Sequence, residues 1–345
     1  MIYKNIINKS AKLKDALLKL DSNPEMQTLF VEDNKIIIGT ITDGDIRRGL
    51  INGLDKDSKL TAFMNRNFTY LIKGKYEKEK IDLIKKNKFE IIPVLNLDKS
   101  LFRIINFNNV KTILPIDAVI MAGGVGSRLM PLTKNIPKPM LKIGDKPIME
   151  YNVDLLKRYG ISHLTLSVNY LSEIIKNYYK DGNTKEINIS YISEDEPLGT
   201  IGAVKQIKKI HNDYILVMNS DLLTNINLEA MFNELVNNNA DMIIATTDYK
   251  VQIPYGIIET HNNNITALVE KPIYTYYSNA GIYIFKKEMI NLIPKNKYFN
   301  ATDLLEKGIY LNKKIQHYSI KGYWLDIGKH DDFEKAQKDI KNIRF

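Results

Sequence analysis

Short apolar runs alternate with stretches of helical periodicity from Leu114 to the end of the chain. The first run, residues 118–122, is apolar throughout and stops at Gly123-Gly124, which is typical of a strand buried on both faces. A helix is predicted to begin at Pro147 and to end at Gly160. Further strands are predicted at residues 164–168, 187–191, 214–218 and 241–245. This alternation predicts an α/β domain with a Rossmann-like, mixed but mostly parallel sheet that is covered by helices and binds ligands at the carboxyl ends of its strands.

The chain before Leu114 has shorter elements, and they occur twice in the same order. Each copy contains a helical stretch followed by two strands that flank a polar turn, at residues 32–35 in the first copy and 96–99 in the second. Each copy is too small to bury a core of its own, so the two are expected to pack on each other. We therefore predict two domains: an α+β pair of repeats at residues 1–113 and the α/β domain at residues 114–345.

Composition narrows the class of protein. The chain has no cysteine, which excludes disulfides and thiol catalysis, and a cytoplasmic enzyme is the simplest interpretation. No apolar run is long enough to span a bilayer, so we expect no membrane association. The net charge of +9 suits anionic substrates or nucleic acid, but scattered lysines also produce a solvated surface. No basic face with interleaved aromatic residues is evident, so a nucleic-acid partner is not expected.

A glycine-rich loop follows the first strand of the α/β domain. Its sequence, Gly-Gly-Val-Gly-Ser-Arg at residues 123–128, allows backbone N–H groups to approach phosphate oxygens. Taken alone, the loop is equally consistent with a tight turn between a strand and a helix. It does not match the dinucleotide-binding motif, because Leu129 replaces the last glycine, and it does not match the P-loop motif. Two cations accompany it. Lys138 lies between two prolines that stiffen its backbone, and Arg128 offers a planar fork for phosphate oxygens.

Residues 123–129, 131–133 and 137–141, in this order, closely resemble the signature of the sugar-1-phosphate nucleotidylyltransferases. The resemblance extends to near Ala336 and implies a GT-A-like nucleotidyltransferase fold. It also implies an enzyme that joins a nucleoside triphosphate to a sugar-1-phosphate and releases pyrophosphate. The nucleotide would be bound by Ala122, Gly123, Gly124, Asn169, Glu194, Gly199 and Thr200. The sugar phosphate would be bound by Gly256, Glu270, Lys271 and Asn279.

The same resemblance implies that Arg128, Lys138, Asp221 and Asp326 are the catalytic residues. The two aspartates would hold Mg²⁺. The phosphate of a sugar-1-phosphate is largely dianionic at neutral pH, so positioning and charge neutralisation suffice without a general base. Either aspartate alone is also explained by a cap or a turn. A non-catalytic, nucleotide-sensing subunit with the same fold is the alternative from another class. Loss of Lys138, Asp221 or Asp326 would favour that alternative, and all three are present.

Glu194 predicts which nucleobase of the triphosphate substrate the enzyme binds. By the layout of the family, this side chain faces the Watson–Crick edge of the base, and a carboxylate only accepts hydrogen bonds. Guanine offers two adjacent donors, whereas uracil and thymine offer one N–H between two carbonyl groups. The sequence therefore favours GTP, with thymidylyl or uridylyl transfer as the alternative within the family. The other interpretation of Glu194 is an acidic residue of a surface loop.

The first repeat resembles a CBS motif at residues 38–48. The resemblance implies that Thr42 and Asp45 bind an adenosine-type or other nucleotide effector. Ile105 and Asn108 stand at the matching places of the second repeat, so we expect at most one such site; a structural or dimerising pair is the alternative. A tandem CBS (Bateman) domain fused to a guanylyltransferase-like domain resembles the glucosamine-1-phosphate guanylyltransferases of bacterial legionaminic acid synthesis. Mannose-1-phosphate is the second candidate substrate, and a homo-oligomer is expected.

Overall fold

A computed structural model describes residues 4–22, 27–343 and 345 of the chain. The chain divides into two compact units, Met1–Ile113 and Leu114–Phe345, and each is described by itself. No helix in the described residues is long and apolar enough to cross a membrane.

The first unit contains two small sheets with the same topology. Its first sheet and helices are β1 (Ile6–Asn8), α1 (Leu13–Asp21), β2 (Thr28–Asp33), β3 (Ile36–Thr42), α2 (Asp43–Ile51) and α3 (Leu60–Phe63). The second set is β4 (Leu71–Ile72), α4 (Lys78–Lys86), β5 (Ile91–Leu95) and β6 (Leu101–Asn106). In each sheet the middle strand pairs in parallel with the first strand and antiparallel with the last. The internal repeat predicted from the sequence is therefore present.

One buried cluster joins the two repeats. Phe30 and Ile37 from the first repeat pack with Ile91 and Leu95 from the second. The Ile37 N–H also donates a 3.2 Å hydrogen bond to the carbonyl oxygen of Lys99. The repeats thus share a core, as expected of units too small to bury one alone.

The second unit is built around a seven-stranded sheet. Its elements are β7 (Ile116–Ala122), β8 (Lys142–Ile143), β9 (Lys146–Pro147), α5 (Ile148–Arg158), β10 (His163–Val168), α6 (Ser172–Tyr179), β11 (Asn188–Ser193), β12 (Tyr214–Asn219), β13 (Leu222–Thr224), α7 (Leu228–Asn237), β14 (Met242–Gln252), β15 (Ile257–His261), β16 (Asn264–Val269), β17 (Ile273–Lys286), α8 (Ala301–Tyr310), β18 (Ile315–Ser319), β19 (Trp324–Asp326) and α9 (His330–Asp339). The strand order in the large sheet is β11-β10-β7-β12-β17-β14-β18.

The large sheet is mostly parallel, as predicted. Strand β17 alone runs antiparallel to its two neighbours, β12 and β14. The predicted helix begins at Ile148, directly after Pro147, and Gly160 follows its end with a left-handed φ of 69°. The strand predicted at residues 241–245 is longer than expected, because β14 continues to Gln252. Strand β17, with 14 residues, was not predicted as a strand.

Apolar side chains on one face of this sheet form a buried cluster beneath the candidate site. Val119, Val217, Ile244 and Tyr283 come from four neighbouring strands and pack together. They are covered by residues of α8 and of the 3-10 turns Gly202–Gln206 and Lys287–Leu292, including Leu304. Burial on this scale holds the ends of the strands in fixed relative positions, and the site described next is built on those ends.

Candidate active site

Three segments with candidate residues meet at one edge of the sheet. The glycine-rich loop follows β7, Asn169 follows β10, and Asp221 lies just beyond β12. These three strands are parallel neighbours, so their carboxyl ends lie at the same edge. This is where ligands bind in open α/β sheets.

The glycines of the loop differ in their surroundings. Gly126 has a left-handed φ of 68°, and a Cβ atom there would lie 2.9 Å from the Cβ atom of Lys138. At Gly124 an added Cβ atom would meet nothing within 4 Å. Gly126 is thus required for the loop to lie against Lys138, whereas Gly124 faces open space where a ligand can approach the backbone.

Lys138 is buried and forms an ion pair with Asp221. It lies in the 3-10 turn Lys138–Met140, and only 8% of its surface is exposed. Its Nζ atom donates a short hydrogen bond to Oδ2 of Asp221. The proline-flanked turn therefore delivers a buried ammonium group to the end of β12, as the stiffness of the segment predicted.

Asp221 and Asp326 are brought together by two short antiparallel strands. Leu222 of β13 pairs with Asp326 of β19, and the Ile327 N–H donates a 3.0 Å hydrogen bond to the carbonyl oxygen of Asp221. Each aspartate has a buried Oδ1 atom with no hydrogen-bond partner among the described residues. Burial, and next the nearby Asp221 carboxylate, raise the pKa of Asp326 above its usual range.

This arrangement fits a divalent cation. Asp221 and Asp326 are half-buried, and two nearby carboxylates with buried, unpartnered oxygens are costly unless positive charge lies close to them. Mg²⁺ is a hard ion that commonly takes one or two protein carboxylates and completes its shell with phosphate oxygens and water. The described residues contain no group of three or more His, Cys, Asp and Glu that would form a complete protein cage. Asp221 and Asp326 therefore suit a metal that is shared with a substrate phosphate.

Arg128 is exposed beside the same pair of strands. A Cβ atom at Gly328 would lie 3.6 Å from Nη1 of Arg128 and 3.6 Å from Oδ2 of Asp332. The positive charge of Arg128 also acts to lower the pKa of Asp326, so the two side chains interact electrostatically. Arg128, Lys138, Asp221 and Asp326, which the sequence predicted as one set, are thus brought into one neighbourhood.

Glu194 is buried, and its carboxylate is held at both oxygens. Its Oε1 atom accepts a 2.5 Å hydrogen bond from Oγ of Ser167, and its Oε2 atom accepts a 2.9 Å bond from the Leu198 N–H. Its backbone carbonyl oxygen accepts a 2.5 Å bond from the side chain of Asn169. Only 9% of the residue is exposed, so Glu194 is not an acidic residue of a surface loop. A Cβ atom at Gly123 would lie 3.2 Å from Oε1, which places this carboxylate beside the glycine-rich loop.

Ser167 was missed in the sequence. It occupies β10 and is completely buried, and the sequence offered no signal that distinguished its hydroxyl from that of Thr165 on the same strand. Gly199 and Thr200 continue the segment that Glu194 holds. Gly199 has a φ of 79°, and Oγ1 of Thr200 accepts a 2.9 Å hydrogen bond from the Ala301 N–H at the start of α8.

The residues predicted to bind the sugar phosphate fall into two groups. Gly256 and Glu270 are neighbours, because a Cβ atom at Gly256 would lie 2.9 Å from Oε2 of Glu270. Lys271 follows with a left-handed φ of 46° and is exposed. Asn279 lies farther along β17 and accepts a 3.0 Å hydrogen bond from the Gly281 N–H. A Cβ atom at Gly281 would lie 2.6 Å from Nδ2 of Asn219, so Asn279 is next to the turn that carries Asp221.

Thr42 and Asp45 lie together at the start of α2. Oγ1 of Thr42 accepts a 3.2 Å bond from the Asp45 N–H, and Oδ2 of Asp45 accepts a 2.9 Å bond from the Thr42 N–H. Oδ1 of Asp45 is paired with Arg48 at 2.6 Å. This capping box accounts for both side chains without a ligand.

Residues 117–343 match the family model described as "Nucleotidyl transferase". The chain belongs to the nucleotidyl transferase family. A D-glycero-alpha-D-manno-heptose 1-phosphate guanylyltransferase from Aneurinibacillus thermoaerophilus is 34% identical over 231 residues, which cover 66% of this chain and 99% of the relative. A UTP–glucose-1-phosphate uridylyltransferase from a Synechocystis strain is 30% identical over 252 residues, which cover 66% of this chain and 65% of the relative.

A solved structure is also similar to this chain. It is HddC from Yersinia pseudotuberculosis in complex with GMP-PN, with 28% identity and a TM-score of 0.50, covering 65% of this chain and 99% of that chain. The chain is accordingly an enzyme of the nucleotidyl transferase family, with an α/β fold and a mostly parallel central sheet, as predicted.

Proposed function

We propose that this enzyme transfers a guanylyl group from GTP to a sugar-1-phosphate and releases pyrophosphate. The observation that carries the proposal is the half-buried pair Asp221 and Asp326, each with a buried, unpartnered Oδ1 atom. Lys138, which packs against Gly126 of the glycine-rich loop, is bonded to Asp221. The similarity to enzymes named as sugar-1-phosphate guanylyltransferases supports the choice of reaction and base.

The reaction needs charge neutralisation more than proton transfer. An oxygen of the sugar phosphate forms a bond to the α-phosphorus of GTP, and the bond from that phosphorus to the bridging oxygen breaks. Pyrophosphate carries the electron pair away, and no proton has to be removed from the dianionic nucleophile. Backbone N–H groups near Gly124 hold phosphate oxygens, while Arg128 and Lys138 offset the negative charge of the two reactants.

Asp221 and Asp326 would hold Mg²⁺. The ion supplies positive charge to the triphosphate and to the phosphate that attacks it. The ammonium of Lys138 stays beside this position through its bond to Asp221, so the protein keeps a cation there in addition to the metal. The ion pair also fixes the Asp221 carboxylate, which leaves Oδ1 free for a ligand.

Glu194 is proposed to read guanine. Each of its carboxylate oxygens accepts one bond from the protein, and a carboxylate oxygen has a second lone pair for another donor. Guanine has two adjacent donors, N1–H and the N2 amino group, and suits this acceptor. The similarity to a uridylyltransferase makes UTP the alternative that has to be tested.

For the sugar we propose glucosamine-1-phosphate. The product would then be a GDP-sugar used in the synthesis of legionaminic acid or another cell-surface glycan. The basis is the fusion of a CBS-like pair to a guanylyltransferase-like domain. Mannose-1-phosphate is the alternative from the sequence, and a manno-heptose-1-phosphate is the one suggested by the relatives. In the first unit, Thr42 and Asp45 are proposed to bind one nucleotide effector.

One assay separates these possibilities. Pyrophosphate release is measured with ATP, GTP, UTP and dTTP, each combined with glucosamine-, mannose-, glucose- and manno-heptose-1-phosphate, with Mg²⁺ and with a chelator. We expect the highest kcat/KM with GTP and glucosamine-1-phosphate, and no turnover with the chelator. Preference for UTP or dTTP would replace the guanylyl assignment. Absence of turnover with every pair would favour the non-catalytic, nucleotide-sensing alternative.

A further inference from the structure

The segment that carries Arg128 is exposed along most of its length. Residues 126–136, which we call the arginine segment, run from the glycine-rich loop to the turn that carries Lys138. Within this segment only Leu129 and Thr133 are buried. Because few side chains of the segment pack into the core, hydrogen bonds from the rest of the chain decide how rigidly it is held.

Two side chains from distant elements form hydrogen bonds to the arginine segment. The hydroxyl group of Tyr170 lies 2.9 Å from the carbonyl oxygen of Lys134 and 3.1 Å from that of Thr133, and it donates its proton to this pair of acceptors. Nε2 of His330, at the start of α9, donates a 3.0 Å bond to the carbonyl oxygen of Met130. Among the residues that the structure describes, the other hydrogen bonds of the segment join two of its own members.

The contact with Tyr170 extends to the glycine-rich loop through Thr133. This threonine is completely buried, and its Oγ1 atom donates a 2.9 Å bond to the carbonyl oxygen of Gly126. A Cβ atom at Gly126 would lie 3.1 Å from Cγ2 of Thr133, as well as 2.9 Å from the Cβ atom of Lys138. Groups packed this closely move together, so a shift of Thr133 displaces the backbone that lies against Lys138.

The backbone on both sides of Tyr170 is itself held in place. The preceding residue, Asn169, donates a 2.5 Å bond from its side chain to the carbonyl oxygen of Glu194. The following residue, Leu171, has a left-handed φ of 48°, which is unfavourable for a leucine and persists only where surrounding contacts maintain it. Tyr170 therefore connects the end of β10, next to the segment around Glu194, with the segment that carries Arg128.

We propose that Tyr170 is a positioning residue for nucleotidylyl transfer, and that its hydroxyl group holds the arginine segment so that Arg128 and Lys138 are directed at the phosphates. The inference rests on the proposed reaction, in which these two cations offset negative charge. Charged groups contribute most when they are already in place, and a misplacement of about 1 Å can cost about a hundredfold in rate. Lys271 and Asn279, proposed for the sugar phosphate, lie on other segments, so its binding should not depend on Tyr170.

Removing only the hydroxyl group tests the proposal. Tyr170→Phe is compared with the wild type and with Tyr191→Phe as the matched control. Tyr191 is also half-buried, and its hydroxyl group donates a 2.6 Å bond from the edge strand β11 to the carbonyl oxygen of Lys180. Pyrophosphate release is measured with the pair of substrates that the wild type uses best.

We expect kcat of Tyr170→Phe to fall about tenfold, while its KM for the sugar phosphate stays within about twofold of the wild-type value. Tyr191→Phe should keep the wild-type kcat. A wild-type kcat for Tyr170→Phe, or equal losses in the two variants, would overturn the proposal.

Hydrogen–deuterium exchange of the ligand-free protein measures the tether without turnover. In Tyr170→Phe, the amides of residues 126–136 should exchange about three- to tenfold faster, and those of β7 and β12 should be unchanged. Unchanged exchange of the arginine segment, or faster exchange throughout the unit, would contradict the proposal. If the wild type shows no turnover with any pair of substrates, the proposed function fails, whereas the exchange rates still decide whether Tyr170 holds the segment.

Discussion

Three carboxylates define the site at the scale of single residues: Glu194 is buried, Asp221 and Asp326 are half-buried, and their hydrogen bonds are satisfied in different ways. Glu194 has a protein donor on each carboxylate oxygen, from Ser167 and from the Leu198 backbone. Asp221 and Asp326 each keep one buried oxygen without a donor. A carboxylate with one protein donor on each oxygen is fixed in place and keeps a second lone pair on each oxygen for a ligand donor, whereas a buried oxygen with no partner suits a cation. The difference supports the proposal that the aspartates, and not Glu194, hold the metal.

Replacing Asp326 tests the metal site. Asp326→Asn removes a carboxylate whose pKa is raised by burial, and it leaves the Lys138–Asp221 pair intact. We expect the activation barrier to rise by about 3 kcal/mol or more, which is roughly a hundredfold loss of kcat, while the metal-free protein keeps its Tm. The Mg²⁺-dependent rise in Tm should disappear. Asp331→Asn, an exposed neighbour, is the matched control. A variant that keeps normal turnover at saturating Mg²⁺ contradicts the assignment.

Base selection is tested with two variants of one hydrogen-bonded pair. Glu194→Gln presents a donor to guanine, so the preference for GTP over UTP in kcat/KM should fall by about 1–3 kcal/mol. Ser167→Ala removes the donor to Oε1 but keeps the carboxylate, and it should retain most of the preference. If both variants raise KM equally for every nucleotide, Glu194 holds the Leu198–Thr200 backbone and does not read the base.

At the scale of elements, strands β7, β10, β11 and β12 were predicted from the sequence, whereas β17 and the outer part of β14 were not. Strands β7 and β12 are mostly buried, so their apolar runs located them to within about two residues. The strand predicted at residues 164–168 agrees with β10 to within one residue. In the outer part of β14, Tyr249 and Val251 alternate with charged and polar residues, and that period of two was the available signal. The pairing of Asp221 with Asp326 came from the resemblance, because the contact between β13 and β19 joins residues far apart in sequence.

The start of α2 yields a prediction that does not require a ligand. Thr42→Ala removes the hydroxyl that accepts the Asp45 N–H, and it should lower the free energy of unfolding by about 1 kcal/mol. Thr42→Ser keeps the hydroxyl and should retain most of that stability. Both are measured by urea denaturation without nucleotide. No difference between the two variants would show that the capping box contributes nothing to stability.

At the scale of the whole molecule, the two units divide the proposed functions. All residues proposed for transfer lie between Ala122 and Asp326, inside the unit Leu114–Phe345. The match with the Aneurinibacillus relative spans 231 residues, which is 99% of the relative and 66% of this chain, and the second unit has about that size. The first unit has its own buried clusters and no residue proposed for transfer chemistry. It could regulate the transferase only through a ligand that binds two states of the chain with different affinity.

Comparing the full chain with a chain that begins at Leu114 separates transfer from regulation. The shorter chain has a complete sheet and site, so we expect its kcat/KM for GTP to stay close to that of the full chain.

Calorimetric titration with AMP, ATP, GTP and the GDP-sugar is performed on both chains. The shorter chain measures the binding that belongs to the transferase site alone. The full chain should bind one additional equivalent of one nucleotide, because the second repeat lacks the Thr42–Asp45 pair: the strand pairing puts Asn106, one residue after the Ile105 expected from the sequence, at the place of Thr42, with Asn109 three residues on. Asp45→Asn should abolish that equivalent, while its remaining carbonyl oxygen still caps α2. Identical stoichiometries for both chains with all four ligands would show that the first unit binds none of them, and a loss of turnover in the shorter chain would show that the transferase needs the first unit.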